Sequence, residues 1–218
     1  MLAKSGLPAS RFISYINGTL EFGQWLRNNK VPVILDSPIE LYTYIQKDVI
    51  GDAPIDYLEF GVWKGNTLKA WLNLNRYPES RFFGFDSFEG LPEDWGHFAV
   101  IHKKGTFSTG GDTPDIDDQR VSLIKGYFQE TLVPSIKSYE PENRLLIHCD
   151  ADLYSSTLYT LTTLNQHIVP GTIILFDEFF TVDHEFRAFI DFTRACRRRY
   201  KPVASCGPYD QMAIEIIE

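Results

Sequence analysis

Two acidic clusters in this 218-residue chain carry the most chemistry: Asp150-Ala151-Asp152 and Asp177-Glu178. Each follows an apolar run that reads as a buried strand, Leu145-Leu146-Ile147-His148-Cys149 and Thr172-Ile173-Ile174-Leu175-Phe176. An open α/β sheet places its site at the carboxyl ends of its strands. If these two strands are neighbours, their tips lie about 5 Å apart, and several carboxylates meet at one place. Such crowding is costly unless a cation or a proton relieves it. A hard divalent cation such as magnesium favours an all-oxygen site. On this reading Asp150 and Asp177 share the cation and Glu178 completes its sphere. Asp152, two residues on, is placed to take a proton from a substrate hydroxyl. Plainer roles compete, with Asp152 as a cap for the helix that starts near Ser155 and Glu178 as an exposed loop residue. Two clusters at adjacent strand ends favour the site.

Three further motifs follow strands. Glu59-Phe60-Gly61-Val62-Trp63-Lys64-Gly65-Asn66-Thr67 has the spacing E-x-G-x-x-x-G, which is not the G-x-G-x-x-G of a pyrophosphate binder. Gly61 and Gly65 permit a tight turn and close approach of a ligand to backbone. The next helix offers free N–H groups to a carboxylate, and Glu59 offers an acceptor to an ammonium. Together they suit an amino-acid zwitterion such as the methionine end of S-adenosylmethionine. In Phe85-Asp86-Ser87-Phe88-Glu89-Gly90-Leu91-Pro92, Asp86 ends the next strand, where an acidic side chain can bind both ribose hydroxyls. In Lys125-Gly126-Tyr127-Phe128, Gly126 and Tyr127 are candidates for one wall of an adenine pocket, or for a helix start with buried aromatics. The expected cofactor-binding set is Glu59, Gly61, Gly65, Thr67, Asp86, Ser87, Gly126, Tyr127 and Asp150.

The elements that must position these groups alternate. Residues 10–28 read as a helix with Phe12, Ile16, Leu20 and Trp25 along one face. Ser37 caps a second helix, with Pro38 in its first turn, running to about Ile50. These helices precede the main fold and suit a lid or dimer segment, residues 1–52, on one domain that spans the whole chain. Strands are expected at 56–60, 81–85, 121–124, 145–149 and 172–176, with helices at about 66–75, 131–138, 155–167 and 183–199 between or after them. Residues 87–118 form a long insertion. Segments 201–205 and 211–217 are joined by too short a turn for a crossover, so they must be antiparallel. Alternating elements imply an α/β fold, a mostly parallel sheet with helices on both faces. The closing hairpin matches the seven-stranded, Rossmann-like sheet of class I methyltransferases.

Bulk properties narrow the class. A net charge of −8 argues against a nucleic-acid partner. The basic run Arg197-Arg198-Arg199 reads as the end of a helix, where cations suit the dipole. Three widely spaced cysteines fit reduced thiols, and Met1 to Pro8 lacks a signal-peptide layout, so a cytoplasmic location is expected. No stretch is long and apolar enough for a membrane span. His148 reads as a satisfied core residue, and His97, His102, His167 and His184 as helix-end or surface residues.

Together these segments resemble the macrocin O-methyltransferase family, whose members methylate sugar or phenolic hydroxyls of natural products. The resemblance lies in Tyr57-Leu58-Glu59-Phe60-Gly61, Gly84-Phe85-Asp86-Ser87-Phe88-Glu89-Gly90-Leu91-Pro92, Gly126-Tyr127-Phe128 with Thr131-Leu132, Asp150-Ala151-Asp152-Leu153-Tyr154-Ser155-Ser156-Thr157, and Pro170-Gly171 through Asp177. It implies an O-methyltransferase with S-adenosylmethionine as donor, a divalent metal held at Asp150, Asp177 and the next position, and Asp152 as general base. The family has an aspartate where Glu178 stands here. The acceptor implied is a small molecule with a hydroxyl, and the apolar N-terminal helix is the sole hint of a homodimer. Two other readings stand beside this one: a non-catalytic S-adenosylmethionine-binding protein and, against the missing third glycine and the closing hairpin, a Rossmann-type oxidoreductase.

Overall fold

The computed structural model describes residues 9–97 and 100–218, without the side chains of residues 9–11, 97 and 100. The Met1 to Pro8 stretch and the side chain of His97 therefore lie outside the described residues. The strands are β1 (Ile34–Leu35), β2 (Ile55–Phe60), β3 (Arg81–Asp86), β4 (Trp95–His97), β5 (Val100–His102), β6 (Val121–Lys125), β7 (Arg144–Cys149), β8 (Ile173–Phe176), β9 (Tyr200–Cys206) and β10 (Gln211–Ile216). The helices are α1 (Ala9–Asn28), α2 (Pro38–Tyr44), α3 (Asn66–Leu74), α4 (Phe128–Ile136), α5 (Tyr154–Thr163) and α6 (Glu185–Ala195). A wider, π-type turn over Ile45–Ile50 continues α2.

Eight strands form the main sheet in the order β1-β9-β10-β8-β7-β2-β3-β6. Strands β2, β3, β6, β7 and β8 are parallel, and β10 runs antiparallel between β8 and β9. Seven of these strands are the expected ones. The eighth, β1, is a two-residue edge pairing parallel to β9, too short to leave a period in the sequence. The chain leaves β2 toward β3 and β6 on one side and returns to β7 and β8 on the other. The β2/β7 boundary is thus the switch point, where open α/β sheets bind ligands.

Alternation along the strands loads both faces of the sheet. Leu58, Phe60, Ile147, Cys149 and Phe176 pack against α1, α4, α5 and α6, whereas Ile55, Tyr57, Leu146 and Leu175 pack against α2 and α3. Ser37 accepts a hydrogen bond from Glu40 N at 3.4 Å and Pro38 opens α2, as expected for that cap.

Two helix boundaries and one helix face differ from expectation. In α1, Trp25 lies opposite Phe12, Ile16 and Leu20. It is 5% exposed in the core, whereas those three are 47%, 41% and 66% exposed. The buried stripe runs through Tyr15, Gly18, Phe22 and Trp25, which the 3.6-residue repeat puts on one side. Helix α6 stops at Ala195, and Arg197 takes a left-handed φ of 53°, so the arginine run lies just beyond the helix. Helix α4 starts earlier, at Phe128, and keeps Pro134 inside. The insertion after β3 contains the β4–β5 hairpin.

The amino end of β2 is anchored by Asp56, which is fully buried. Its carboxylate accepts from Arg81 Nε at 3.0 Å, from Arg81 Nη2, and at 3.0 Å each from Tyr139 Oη, Glu142 N and Asn143 Nδ2. Burial pushes this carboxyl up, but the Arg81, Glu142 and Asn143 hydrogen bonds outweigh it and hold it below the usual range. A lowered native pKa adds stability that is complete above the unfolded value and lost as pH falls through the native one. Asp56→Asn should therefore cost about 2–4 kcal/mol at neutral pH and flatten the fall in stability below about pH 4. Urea melts of both proteins from pH 3 to 7 check this, and parallel pH curves would refute it.

Candidate active site

The carboxyl ends of β3, β2, β7 and β8 are laced together by backbone. Gly61 N donates to Phe85 O at 3.0 Å, Asp150 N to Phe60 O at 2.9 Å and Asp177 N to Cys149 O at 3.0 Å. The two acidic clusters therefore do sit on neighbouring parallel strands, with Cys149 paired to Phe176. Above them opens a cavity of about 520 Å³. Gly61, Thr67, Asp86 and Ser87 line it, as do Tyr127, Asp150, Asp152, Asp177 and Glu178. Glu59, Gly65 and Gly126 are not among its lining residues.

Gly61 adopts a φ of +100°, and a Cβ there would stand 1.7 Å from Asp150 O. Only glycine lets the turn cross the β7 tip so closely. Gly65 caps α3 in a left-handed conformation with no side-chain cap, leaving the helix's first N–H groups open. Asp86 ends β3 and holds this turn: Oδ2 accepts from Val62 N at 2.8 Å and Trp63 N at 2.7 Å, and Oδ1 from Phe88 N at 2.7 Å. These three bonds leave Asp86 Oδ1 with one unused lone pair.

Glu59 is fully buried beneath the cavity floor, and burial first of all pushes its carboxyl up to about 8, against the Tyr57 hydrogen bond and with help from Asp177 and Asp86. Tyr57 Oη donates to Glu59 Oε2 at 2.6 Å, and Oε1 has no partner. His148, paired in register with Glu59, is also fully buried. Its Nδ1 lies 2.9 Å from Tyr57 Oη, while Nε2 has no hydrogen bond and stands 4.0 Å from Asp177 Oδ1. It is thus a core residue satisfied on one side only, because Asp177 lies beyond hydrogen-bond reach.

The acidic wall is electrostatically crowded. Burial and then Asp177 push Asp152 up to about 7. Burial, Asp152, Asp177 and Asp210 push Glu178 up to about 8, and Glu178 Oε2 has no hydrogen-bond partner. Burial and then Asp177 hold Asp150 well above the carboxylate range. Asp152 takes a left-handed φ of 60°, which turns its side chain into the cavity instead of onto α5 as a cap; Leu153 occupies the cap position of that helix. As they stand, no three acidic, histidine or cysteine side chains among the described residues converge closely enough to hold an ion. One reason is visible: Asp177 Oδ1 accepts from the Gln211 amide. The oxygen-only donor set suits a hard cation, whereas its present side-chain positions do not form a coordination sphere.

Several wall residues were not singled out from sequence. Pro38, Ile39 and Tyr42 bring α2 over the cavity, Trp63 and Phe107 face it from the glycine turn and the insertion, and Gln211 reaches it from β10. Gln211 Nε2 also lies 3.0 Å from Tyr42 Oη. The antiparallel hairpin was a usable signal for Gln211, but its register with β8 was not. A helix N′-to-cap pattern marks α2 without saying which face turns inward. His184 sits at the start of α6 and accepts from Tyr154 N at 3.4 Å.

Residues 40–207 match the family model described as Macrocin-O-methyltransferase (TylF). The chain is 27% identical over 159 residues to the 8-demethyl-8-(2,3-dimethoxy-alpha-L-rhamnosyl)-tetracenomycin-C 4'-O-methyltransferase of Streptomyces olivaceus, covering 62% of this chain and 58% of that protein. It is 26% identical over 152 residues to the demethyldecarbamoylnovobiocin O-methyltransferase of Streptomyces niveus, covering 61% and 56%. The chain thus spans less than two thirds of the length of these curated relatives. Among solved structures, the O-methyltransferase NovP superposes with a TM-score of 0.59 at 21% identity over 83% of this chain and 79% of that one. A calicheamicin methyltransferase superposes with a TM-score of 0.64 at 19% identity over 92% and 91%. At these identities the structural likeness establishes the fold, that of the class I O-methyltransferases. Among the described residues no helix is long and apolar enough to cross a membrane.

Proposed function

The chain belongs to the macrocin-O-methyltransferase family, and we propose that it is an S-adenosylmethionine-dependent O-methyltransferase acting on a hydroxyl of a small molecule, a sugar or a phenol. The supporting observation is the meeting, at one switch point, of the Gly61 turn, the open start of α3 and a carboxyl group, Asp152, in the same cavity. The curated relatives carry O-methyltransferase names.

The residues present fit the donor. The Gly61 cradle has no room for a side chain, α3 presents unpaired N–H groups to a carboxylate, and Glu59 Oε1 awaits a donor for its buried lone pairs. Asp86 takes a ribose hydroxyl, Ser87 stands beside it, and Tyr127 walls the base. When bound, S-adenosylmethionine supplies an electrophilic methyl group on its sulfonium. Asp152 accepts the proton of the acceptor hydroxyl as its oxygen bonds to that methyl carbon and the carbon–sulfur bond breaks. The products are a methyl ether and S-adenosylhomocysteine. A carboxyl raised to about 7 is better matched to this proton transfer than an ordinary aspartate.

A divalent cation, magnesium by donor chemistry, belongs to this proposal. Asp150, Asp177 and Glu178 would hold it, once Asp177 leaves the Gln211 amide, and it would raise the acidity of the acceptor hydroxyl. Its support is the crowding of buried carboxyls. Calorimetric titration of S-adenosylhomocysteine with and without magnesium tests donor pocket and cation together. Asp177→Ala should abolish turnover yet leave S-adenosylhomocysteine affinity within about threefold of wild type, since the residue touches acceptor chemistry and not the donor. Full activity in that variant would sink the acidic-wall mechanism. Absence of any S-adenosylhomocysteine binding by the wild-type protein would sink the whole reading.

A further inference from the structure

Period-two alternation puts Ile55, Tyr57 and Glu59 on the α2/α3 face of the sheet. Register then sets His148 beside Glu59. All three polar residues of this group, Tyr57, Glu59 and His148, are fully buried. Their hydrogen bonding is constrained by proton count. Tyr57 has one hydroxyl proton, but its oxygen lies 2.6 Å from Glu59 Oε2 and 2.9 Å from His148 Nδ1. Opposite an ammonium the Glu59 carboxyl is ionised, and the shorter, charge-assisted bond takes the proton. His148 then carries its hydrogen on Nδ1 and donates it to the phenol oxygen, because neutral imidazole has one donor and one acceptor.

The consequence is an ordered relay whose open ends are acceptors. Glu59 Oε1 and His148 Nε2 are both buried and both without a hydrogen-bond partner. Their neighbours Gly61, Asp150 and Asp177 line the cavity. Buried acceptors left unmade are costly, and the group that repairs them must bring donors. Resting on the donor reading above, we propose that Tyr57 and His148 are positioning residues for the ammonium of the donor's amino-acid end. His148 orients Tyr57, and Tyr57 holds Glu59 Oε2, so that Oε1 is the acceptor left for the ligand. Neither residue touches the reacting methyl group.

The test compares two ligands that differ in the amino-acid end that carries that ammonium. S-adenosylhomocysteine carries the amino-acid end, and 5'-methylthioadenosine lacks it. Both are titrated calorimetrically into wild type, Glu59→Gln, Tyr57→Phe and His148→Gln, with thermal melts to establish folding. Tyr57→Phe and His148→Gln should weaken S-adenosylhomocysteine about 10-fold and methylthioadenosine by less than about twofold, the loss expected for one charge-assisted hydrogen bond. Equal weakening of both ligands would mean a merely structural role and overturn the proposal. Unchanged S-adenosylhomocysteine affinity in Tyr57→Phe, with Glu59→Gln weakened, would also overturn it while sparing the assignment of Glu59. Wild-type affinity in Glu59→Gln would overturn that assignment itself. Should His148→Gln fail to fold, Tyr57→Phe, which deletes only a hydroxyl, decides alone.

Discussion

Replacing Asp152 with asparagine should lower methyl transfer by about 10²- to 10⁴-fold, the usual span for loss of a positioned general base. The substitution is close to isosteric, and asparagine is among the few residues at ease in the left-handed conformation that Asp152 adopts, with a φ of 60°. The backbone therefore stays as it is and only the proton acceptor is removed. Donor binding should stay within about threefold, because uniform binding and transition-state chemistry are separate losses. The measurement is transfer of a radiolabelled methyl group to a panel of glycosides and phenols, with S-adenosylhomocysteine titrated alongside. A variant that keeps more than about half the wild-type rate would remove Asp152 from the proton-transfer role. Since Asp177 is a principal neighbour raising Asp152, the two variants are coupled and their effects should not add.

The second large effect is expected at Gly61. Alanine there meets Asp150 O at 1.7 Å from its Cβ and must also hold a φ of +100°. Backbone strain of about 1–3 kcal/mol and overpacking of about 1–3 kcal/mol then act together. Gly171→Ala is the control, since Gly171 has a φ of +94° with nothing within 4 Å of its Cβ position. Both variants bear the conformational strain, and only Gly61→Ala bears the clash. At about 2–4 °C per kcal/mol for a chain of this size, Gly61→Ala should melt about 10 °C below wild type and clearly below Gly171→Ala. It should also lose S-adenosylhomocysteine binding by more than about 100-fold, because the displaced turn carries the start of α3 away from the ligand. Melting like the control with donor affinity intact would show that the turn yields and that the close approach is not needed.

Much of the fold was legible because it is written in local periods. The runs 145–149 and 172–176 read as buried strands and pair side by side as β7 and β8. The short turn before Gln211 forced an antiparallel hairpin, and β9 and β10 form one. Ser37 and Pro38 announced the start of α2. What failed was information that no local period holds. The two residues of β1 pair only because β9 lies beside them. Trp25 was placed on the wrong side of α1, since an apolar residue can face either core or solvent and four apolar positions on the opposite arc are exposed.

The site divides along the same line. Residue types and spacing by themselves determined that acidic groups would end two strands, that a glycine turn would precede a helix, and that Asp86 would end the next strand, because strand ends, turns and helix starts leave short-range marks. Only the tertiary structure decided which of these groups share the cavity and which sit behind it. Glu59 is fully buried behind the cavity lining, bound to Tyr57 and set against His148. Gln211 covers an oxygen of Asp177, and Tyr42 comes over the cavity from a helix more than a hundred residues away in sequence. The physical reason is that side-chain contact across a sheet depends on register and on which face a helix turns down. Register is set by the sum of all pairings and by packing across the core, which no single segment contains.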